Sequence, residues 1–315
     1  MKIVSLLPSA TEIVCALGLE SSLVAITHEC DFPSSVSLLP AITSSRISHE
    51  TMSSKEIDHA VRSQLDGHGS IYDLDVELLQ KLSPDLILTQ ELCDVCAVNY
   101  KTVDRAAKVY AADATVVSLE PNSIEDIFDT ILTIGELTGV KARAEDLVSE
   151  LAERLGAVWA KVEFLDCRPR VMMLEWLEPP FAPGHWVPEQ VETAGGTPVL
   201  GKAGQRSTTT TYEAIRESNP EIMVFIPCGY YIEDIRRQLV YQMFPVDWQE
   251  IDAVRTGNVW AIDATKYFSR PGPRIVDGTE ILAKVVHPDL FGRPIIGEAY
   301  RLGDGEMKFY TTDNL

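Results

Sequence analysis

Nowhere does this sequence run to about 18 consecutive apolar residues, so no helix is expected to cross a membrane. Positive charge is scarce: 27 Lys and Arg stand against 47 Asp and Glu. The resulting formal charge of -20 repels nucleic acid and anionic membrane and draws cations near, and it reads equally as ordinary solubility charge. The short patterns of common enzymes are also missing. There is no G-x-S-x-G elbow, no P-loop, no H-E-x-x-H and no Rossmann glycine fingerprint, which removes the usual motif-based grounds for an enzyme. Between Met1 and Pro8 the apolar run is too short for a secretory signal. That start implies a cytoplasmic address, or a periplasmic or extracellular one if a signal has been removed. Six cysteines in a reducing compartment read as thiols or metal ligands rather than disulfides.

What is present is one long amphipathic helix with alternating strands and helices on each side. From Lys141 to Phe164, Leu147, Val148, Leu151, Leu155, Val158, Trp159 and Val162 recur at steps of three and four, and charged residues fill the other face. Such a helix would run roughly 35 Å, about the diameter of a small domain. With 315 residues, 45% of them apolar, and a mean hydropathy of +0.01, the chain can fill two cores. The expected fold is therefore α/β: two Rossmann-like lobes with parallel sheets, joined by a rigid helix, with a ligand cleft between them. The expected boundaries are an N-terminal lobe over 1–122, a helical linker over 123–166, a C-terminal lobe over 167–294 and a turn-rich surface extension over 295–315.

In the first lobe, strands are expected at Lys2–Leu7, Leu23–Thr27, Asp85–Thr89 and Thr115–Leu119, with helices near Ser54–Gln64, Asp75–Leu82 and Asn99–Ala111. Ser9, with Glu12 three residues on, reads as the capping box of the first helix, and Ser123 with Asp126 as that of the helix before the strut. In the second lobe, strands are expected at Arg170–Leu174, Glu221–Ile226 and Val259–Ile262. Helices are expected at Pro188–Ala194, Tyr212–Ser218, Ile232–Met243 and Trp248–Arg255, with a last one ending at Val286. Glu77 to Leu88 aligns without gaps on Glu213 to Val224, a helix–Pro–acid–strand device used once per lobe.

Ligands of open α/β sheets bind beyond the carboxyl ends of strands. The residues just past those ends are Ser9, His28, Glu29, Cys30, Cys93, Cys96, Glu175, Trp176, His185, Trp186, Cys228, Tyr230, Tyr267 and Arg270. Cys30, Cys93, Cys96 and Cys228, with His28 and His185, form a donor set that suits zinc or an iron–sulfur cluster, and the C-x-x-C spacing lets two thiolates reach one centre. The same cysteines read equally as thiols packed under loops, and Cys15 and Cys167 read as structural. Trp176, Phe181, Trp186, Tyr230, Tyr231 and Tyr267 could wall a large planar ligand or fill the lobe cores. A Cys30 nucleophile beside His28 or His185 would make a thiol enzyme, but no oxyanion hole is in view.

Several motifs recur in order around the long helix: Pro8-Ser9-Ala10-Thr11-Glu12, His28-Glu29-Cys30-Asp31-Phe32-Pro33, Pro84-Asp85-Leu86-Ile87, Pro179-Pro180-Phe181 and Ser269-Arg270-Pro271-Gly272-Pro273-Arg274. In this the chain resembles the helical-backbone metal-receptor class of ABC-transporter solute-binding proteins, and within it the cobalamin-binding branch, over about residues 1 to 287. The resemblance implies a non-enzymatic protein that holds cobalamin, an iron chelate, haem or a bare metal ion between its lobes, with an ABC permease as partner. It places the ligand-facing loops at Glu29 to Phe32, Gln90 to Cys93, Phe181 to Trp186, Cys228 to Tyr230 and Lys266 to Phe268. Where cobalamin binders tend to carry aromatic rings this chain has Glu29 and Gln90, which favours direct coordination by thiolate and imidazole. The alternative expectation is a cytoplasmic protein holding a metal ion or iron–sulfur cluster.

Overall fold

A computed structural model describes residues 1–45, 47, 52–66, 72–90, 103, 106, 107, 109, 111, 113–303 and 305–310. The first lobe opens with β1 (Ile3–Ser5) and α1 (Pro8–Ala16), followed by β2 (Leu23–Ile26). An excursion follows: β3 (Thr43–Ser45), α2 (Ser54–Asp66) and β4 (Tyr72–Leu74), in which β3 and β4 pair antiparallel. Then come α3 (Val76–Leu82), β5 (Leu86–Thr89) and β6 (Thr115–Ser118). The expected helix Asn99–Ala111 lies mostly outside the described residues. Strands β1, β2, β5 and β6 form one parallel sheet in the order β2-β1-β5-β6. β1 and β5 are apolar runs buried on both faces, as a parallel sheet between helical layers requires.

The linker is α4 (Ile124–Leu137) and α5 (Lys141–Val162). The expected box at the start of α4 is present, with Ser123 Oγ accepting from the Asp126 amide and the Asp126 carboxylate accepting from that of Ser123. Gly135 lets the two helices touch, since a Cβ there would sit 2.4 Å from the Ala144 Cβ. The strut α5 is tied to both lobes. Arg143 donates to the Leu17 carbonyl of the first, and Arg154 pairs with Asp277 and Glu280 of the second.

The second lobe runs β7 (Arg170–Leu174), β8 (Trp176–Leu177), β9 (Pro180–Ala182), α6 (Val187–Thr193), β10 (Thr197–Pro198), β11 (Thr208–Thr209), α7 (Tyr212–Ser218) and β12 (Ile222–Phe225). It continues with α8 (Ile232–Leu239), β13 (Met243–Pro245), α9 (Asp252–Arg255), β14 (Val259–Ala261), α10 (Ala264–Tyr267), α11 (Ile275–Val286), α12 (Pro288–Phe291), β15 (Tyr300–Arg301) and β16 (Lys308–Tyr310). Its main sheet has the order β10-β7-β12-β14-β15, parallel except for the last strand. The internal echo is structural. In α3–β5 and α7–β12 alike, a side-chain N-cap (Asp75, Thr211) accepts the amide three residues on, and a left-handed residue (Ser83, φ 47°; Asn219, φ 40°) ends the helix before the strand.

Four expectations change. α1 has no Ser9 cap: Pro8 takes the first helical position, Leu7 is the N-cap, and Ser9 and Glu12 are buried inside the helix. The helix from Ile232 stops at Leu239, because Met243–Pro245 pairs with β16 from the far end of the chain. The helix expected over Trp248–Arg255 is a 3-10 turn (Val246–Glu250) and α9, broken at the extended Ile251; Asn219 Oδ1 accepts the Asp252 amide there. The segment after Pro294 is woven into the second lobe. β15 pairs with β14, β16 pairs with β13, and Leu302 is buried.

Candidate functional site

Each parallel sheet presents the loops after its carboxyl ends to the other, and direct bonds join them along one seam. At its floor, Glu12 on α1 is 4% exposed and accepts from Arg274 Nε at 2.8 Å and Arg270 Nη1 at 3.4 Å. Arg270 also reaches the Asp31 carboxylate and donates to the Glu29 carbonyl at 2.8 Å. Two carboxylates and two guanidiniums balance, which is what allows the charges to be buried. Burial pushes the Glu12 carboxyl above its ordinary range, against the pull of both guanidiniums. The Arg274 guanidinium lies over the Phe32 ring, 4.1 Å from its centroid, and the Gly272 backbone packs on Ser9.

At its mouth, Trp176 Nε1 donates to the Ser54 carbonyl at 3.2 Å, and the Ser54 and Tyr230 hydroxyls are 3.5 Å apart. The Trp176 and Tyr230 rings meet edge to face at 5.5 Å. The structure thus gathers Ser9, Glu29, Phe32 and Arg270 at the floor, and Trp176 with Tyr230 at the mouth. Other candidates line the strand ends: Gln90 is buried at the end of β5, Phe181 is half-buried in β9, and the Glu175 amide donates to the Phe181 carbonyl while the Glu175 carbonyl accepts from the Cys228 amide. Tyr267 is half-buried. Trp186 is buried in the second lobe, its Nε1 held by the Phe268 carbonyl at 2.9 Å.

Sequence reasoning missed Glu12 as the floor's centre, and the signal was there. An acid among the buried Ala10, Ile13 and Val14 needs cationic partners, and Arg270 and Arg274 stand four apart in a Pro- and Gly-rich loop. It also missed Ser54, whose helix shows no trace in sequence of reaching the other lobe.

The thiolate centre does not form among the described residues. Cys30 is buried under α1 with its Sγ 3.0 Å from Thr11 Oγ1, and burial pushes its thiol up to about 11. At neutral pH that burial keeps the free thiol in its unreactive, protonated form. Cys228 is exposed and unpaired with it, Cys93 and Cys96 lie outside the described residues, and no group of three His, Cys, Asp or Glu is placed to hold an ion among those described. The imidazoles stand apart too. His28 shares a 2.7 Å hydrogen bond with Thr43 Oγ1 and has Nε2 3.3 Å from Glu29 Oε1. His185 is held at φ 51° against the Gln205 loop, its buried Nε2 has no partner among the described residues, and burial followed by the Arg206 charge lowers its pKa. The zinc and iron–sulfur expectations therefore find no support among the described residues. Alkylation with iodoacetamide at neutral pH, read by peptide mass mapping, should modify Cys167 and Cys228 and spare Cys30; rapid labelling of Cys30 would contradict its burial.

A groove of about 580 Å³ between the strut and α6, lined by Ile124, Leu155, Trp159, Glu189 and Pro198, lies at the amino ends of β7 and β10, away from the seam.

The family model described as "Periplasmic binding protein" matches residues 3–265. An uncharacterized ABC transporter substrate-binding lipoprotein, YvrC of Bacillus subtilis, is 24% identical over 92% of this chain and 81% of its own. A vitamin B12-binding protein of Vibrio cholerae is 22% identical over 89% of this chain and 86% of its own. Among solved structures, a periplasmic heme binding protein from Pseudomonas aeruginosa superposes with a TM-score of 0.69 at 20% identity, covering 96% of this chain and 99% of that one, a likeness of fold. A cytoplasmic address finds no support in the family match or in the lipoprotein relative.

Proposed function

The chain belongs to the periplasmic binding protein family, and on that premise we propose that it receives a planar metal chelate of the corrinoid or haem class between its lobes and delivers it to an ABC permease. Members of this family are substrate-binding proteins of transporters, not enzymes. The observation that carries the reading is the seam itself. Loops from the carboxyl ends of β1, β2, β7, β12 and β14 meet there, while the strut and the Glu12 floor fix the separation of the lobes.

The side chains that this reading assigns to the ligand suit a large, mostly apolar ring system with a polar rim. Phe32, Trp176, Phe181, Tyr230 and Tyr267 supply aromatic area; Glu29, Gln90, Glu175 and Arg270 supply polar contacts. His185 Nε2, without a partner among the described residues, is one donor or acceptor that a ligand would satisfy in this reading. Relatives named for vitamin B12 and for heme share this fold and support the class rather than the choice within it.

The test is titration of the purified protein with cyanocobalamin and, separately, haemin, followed by absorbance and tryptophan fluorescence. One of the two should bind saturably at one per chain with a Kd of about 1 µM or tighter, some 8 kcal/mol. Tyr267→Ala should weaken that binding about tenfold, roughly 1.4 kcal/mol, through lost ring contact. Absence of saturable binding for both would refute the ligand class.

A further inference from the structure

Tyr230 is only 1% exposed, so it can touch a ligand only if what covers it moves. Its ring is set in the second lobe's core, and at the mouth its hydroxyl meets that of Ser54, in the first turn of α2, an element of the other lobe. That turn also holds the one hydrogen-bond donor of the Trp176 indole, through the Ser54 carbonyl. Both polar tips of the aromatic pair are therefore engaged by the protein's own chain.

We propose that the first turn of α2 is a displaceable strap that occupies the ligand's place on the second lobe's rim, so that ligand and strap compete for Trp176 and Tyr230. The proposal rests on the reading that these two residues face the ligand. Three features make α2 suited to leave.

Its hold on the second lobe is light. Beyond the Ser54 contacts, among the described residues it consists of Gln238 Nε2 donating to the Met52 carbonyl at 3.2 Å and a solvent-exposed Lys55–Glu178 pair at 3.4 Å. Exposed pairs of this kind contribute little, unlike the buried charges of the floor. Its own anchoring is thin as well. Among its residues whose side chains are described, only Ser54 and Ile57 are buried, and the helix stands on the two-stranded β3–β4 stalk, which leans on the first lobe through Thr43 and Tyr72 against His28. Finally, the turn carries its own cap. Ser53 and Glu56 bond each other's backbone amides, at 2.8 Å and 3.3 Å, so the helix start does not depend on the second lobe to stay formed.

Two variants loosen the strap without touching the aromatic wall: Lys55→Glu, which sets two carboxylates face to face, and Gln238→Leu, which removes the donor to Met52. Hydrogen exchange of the 54–66 peptide should speed up about threefold or more in both, the effect of losing one exposed contact. Whichever of cyanocobalamin and haemin the parent protein binds should then bind about threefold tighter and associate faster, because the competitor has been weakened. Adding that ligand to the parent should also speed exchange in the 54–66 peptide. The proposal is overturned if the variants exchange faster yet bind no better, or if ligand slows exchange in α2, the mark of a clamp rather than a competitor. Failure of both probes to bind the parent would refute the ligand class. The strap would then stand or fall on the variants' exchange, with rates equal to the parent's refuting it.

Discussion

Glu12→Ala should cost about 3–5 kcal/mol of stability, the usual penalty for removing one partner of a buried ion pair. Arg270 keeps its bonds to Asp31 and to the Glu29 carbonyl, so the damage falls on Arg274, whose Nε and Nη2 both donate to the lost carboxylate. Its guanidinium would be left near the seam floor over Phe32 with its charge uncompensated. Glu12→Gln keeps the shape and one acceptor and should cost less, about 1–3 kcal/mol for hydrogen bonds that are no longer charge-assisted. Urea unfolding followed by circular dichroism reads both. Since the carboxylate belongs to α1 and both arginines to the second lobe, the Ala variant should also separate the unfolding of the two lobes, seen as a second transition. A variant as stable as the parent would mean that the floor holds nothing together.

That pairing spans most of the chain, which is why sequence reading found the architecture and missed its fastening. Local periodicity was enough for the strut, expected to end at Phe164 and ending at Val162, because 22 residues of helix write a face that can be counted. The echo of Glu77–Leu88 in Glu213–Val224 was likewise local, and it carried over down to the left-handed Ser83 and Asn219. The rule that ligands sit past strand ends singled out loops that meet at the seam, where Arg270 and Glu29 join from opposite lobes. It could not say which side chains on those loops face inward. Cys30 and Glu29 are neighbours in sequence, yet the thiol turns under α1 to Thr11 while the Glu29 carbonyl meets Arg270. Spacing alone cannot separate a ligand from a buried thiol.

The end of the chain shows the same limit at larger scale, and cutting it should have the second large effect. Strands of two and three residues flanked by Gly, Arg and Asp look like turns, so the segment reads as an appendage. Ending the chain after Glu298 is instead expected to lower the stability of the second lobe by about 4 kcal/mol or more, the sum of burying Leu302 and partly burying Tyr300, Met307 and Phe309 on that lobe's core. Backbone pairing is lost as well. The Leu302 amide donates to the Val259 carbonyl at 2.9 Å, and β16 is the partner of β13. Without β15 the outer edge of β14 stands open, a row of unpaired amides and carbonyls beside Trp260 that invites strands of other copies. The truncated protein should therefore unfold at lower urea and scatter light on warming before the parent does. If it melted like the parent, the pairing of β14 with β15 would be incidental and the segment an appendage after all. The seam gives that outcome a functional edge, because β14 leads directly into the Tyr267–Arg270 loop that carries one side of the candidate site.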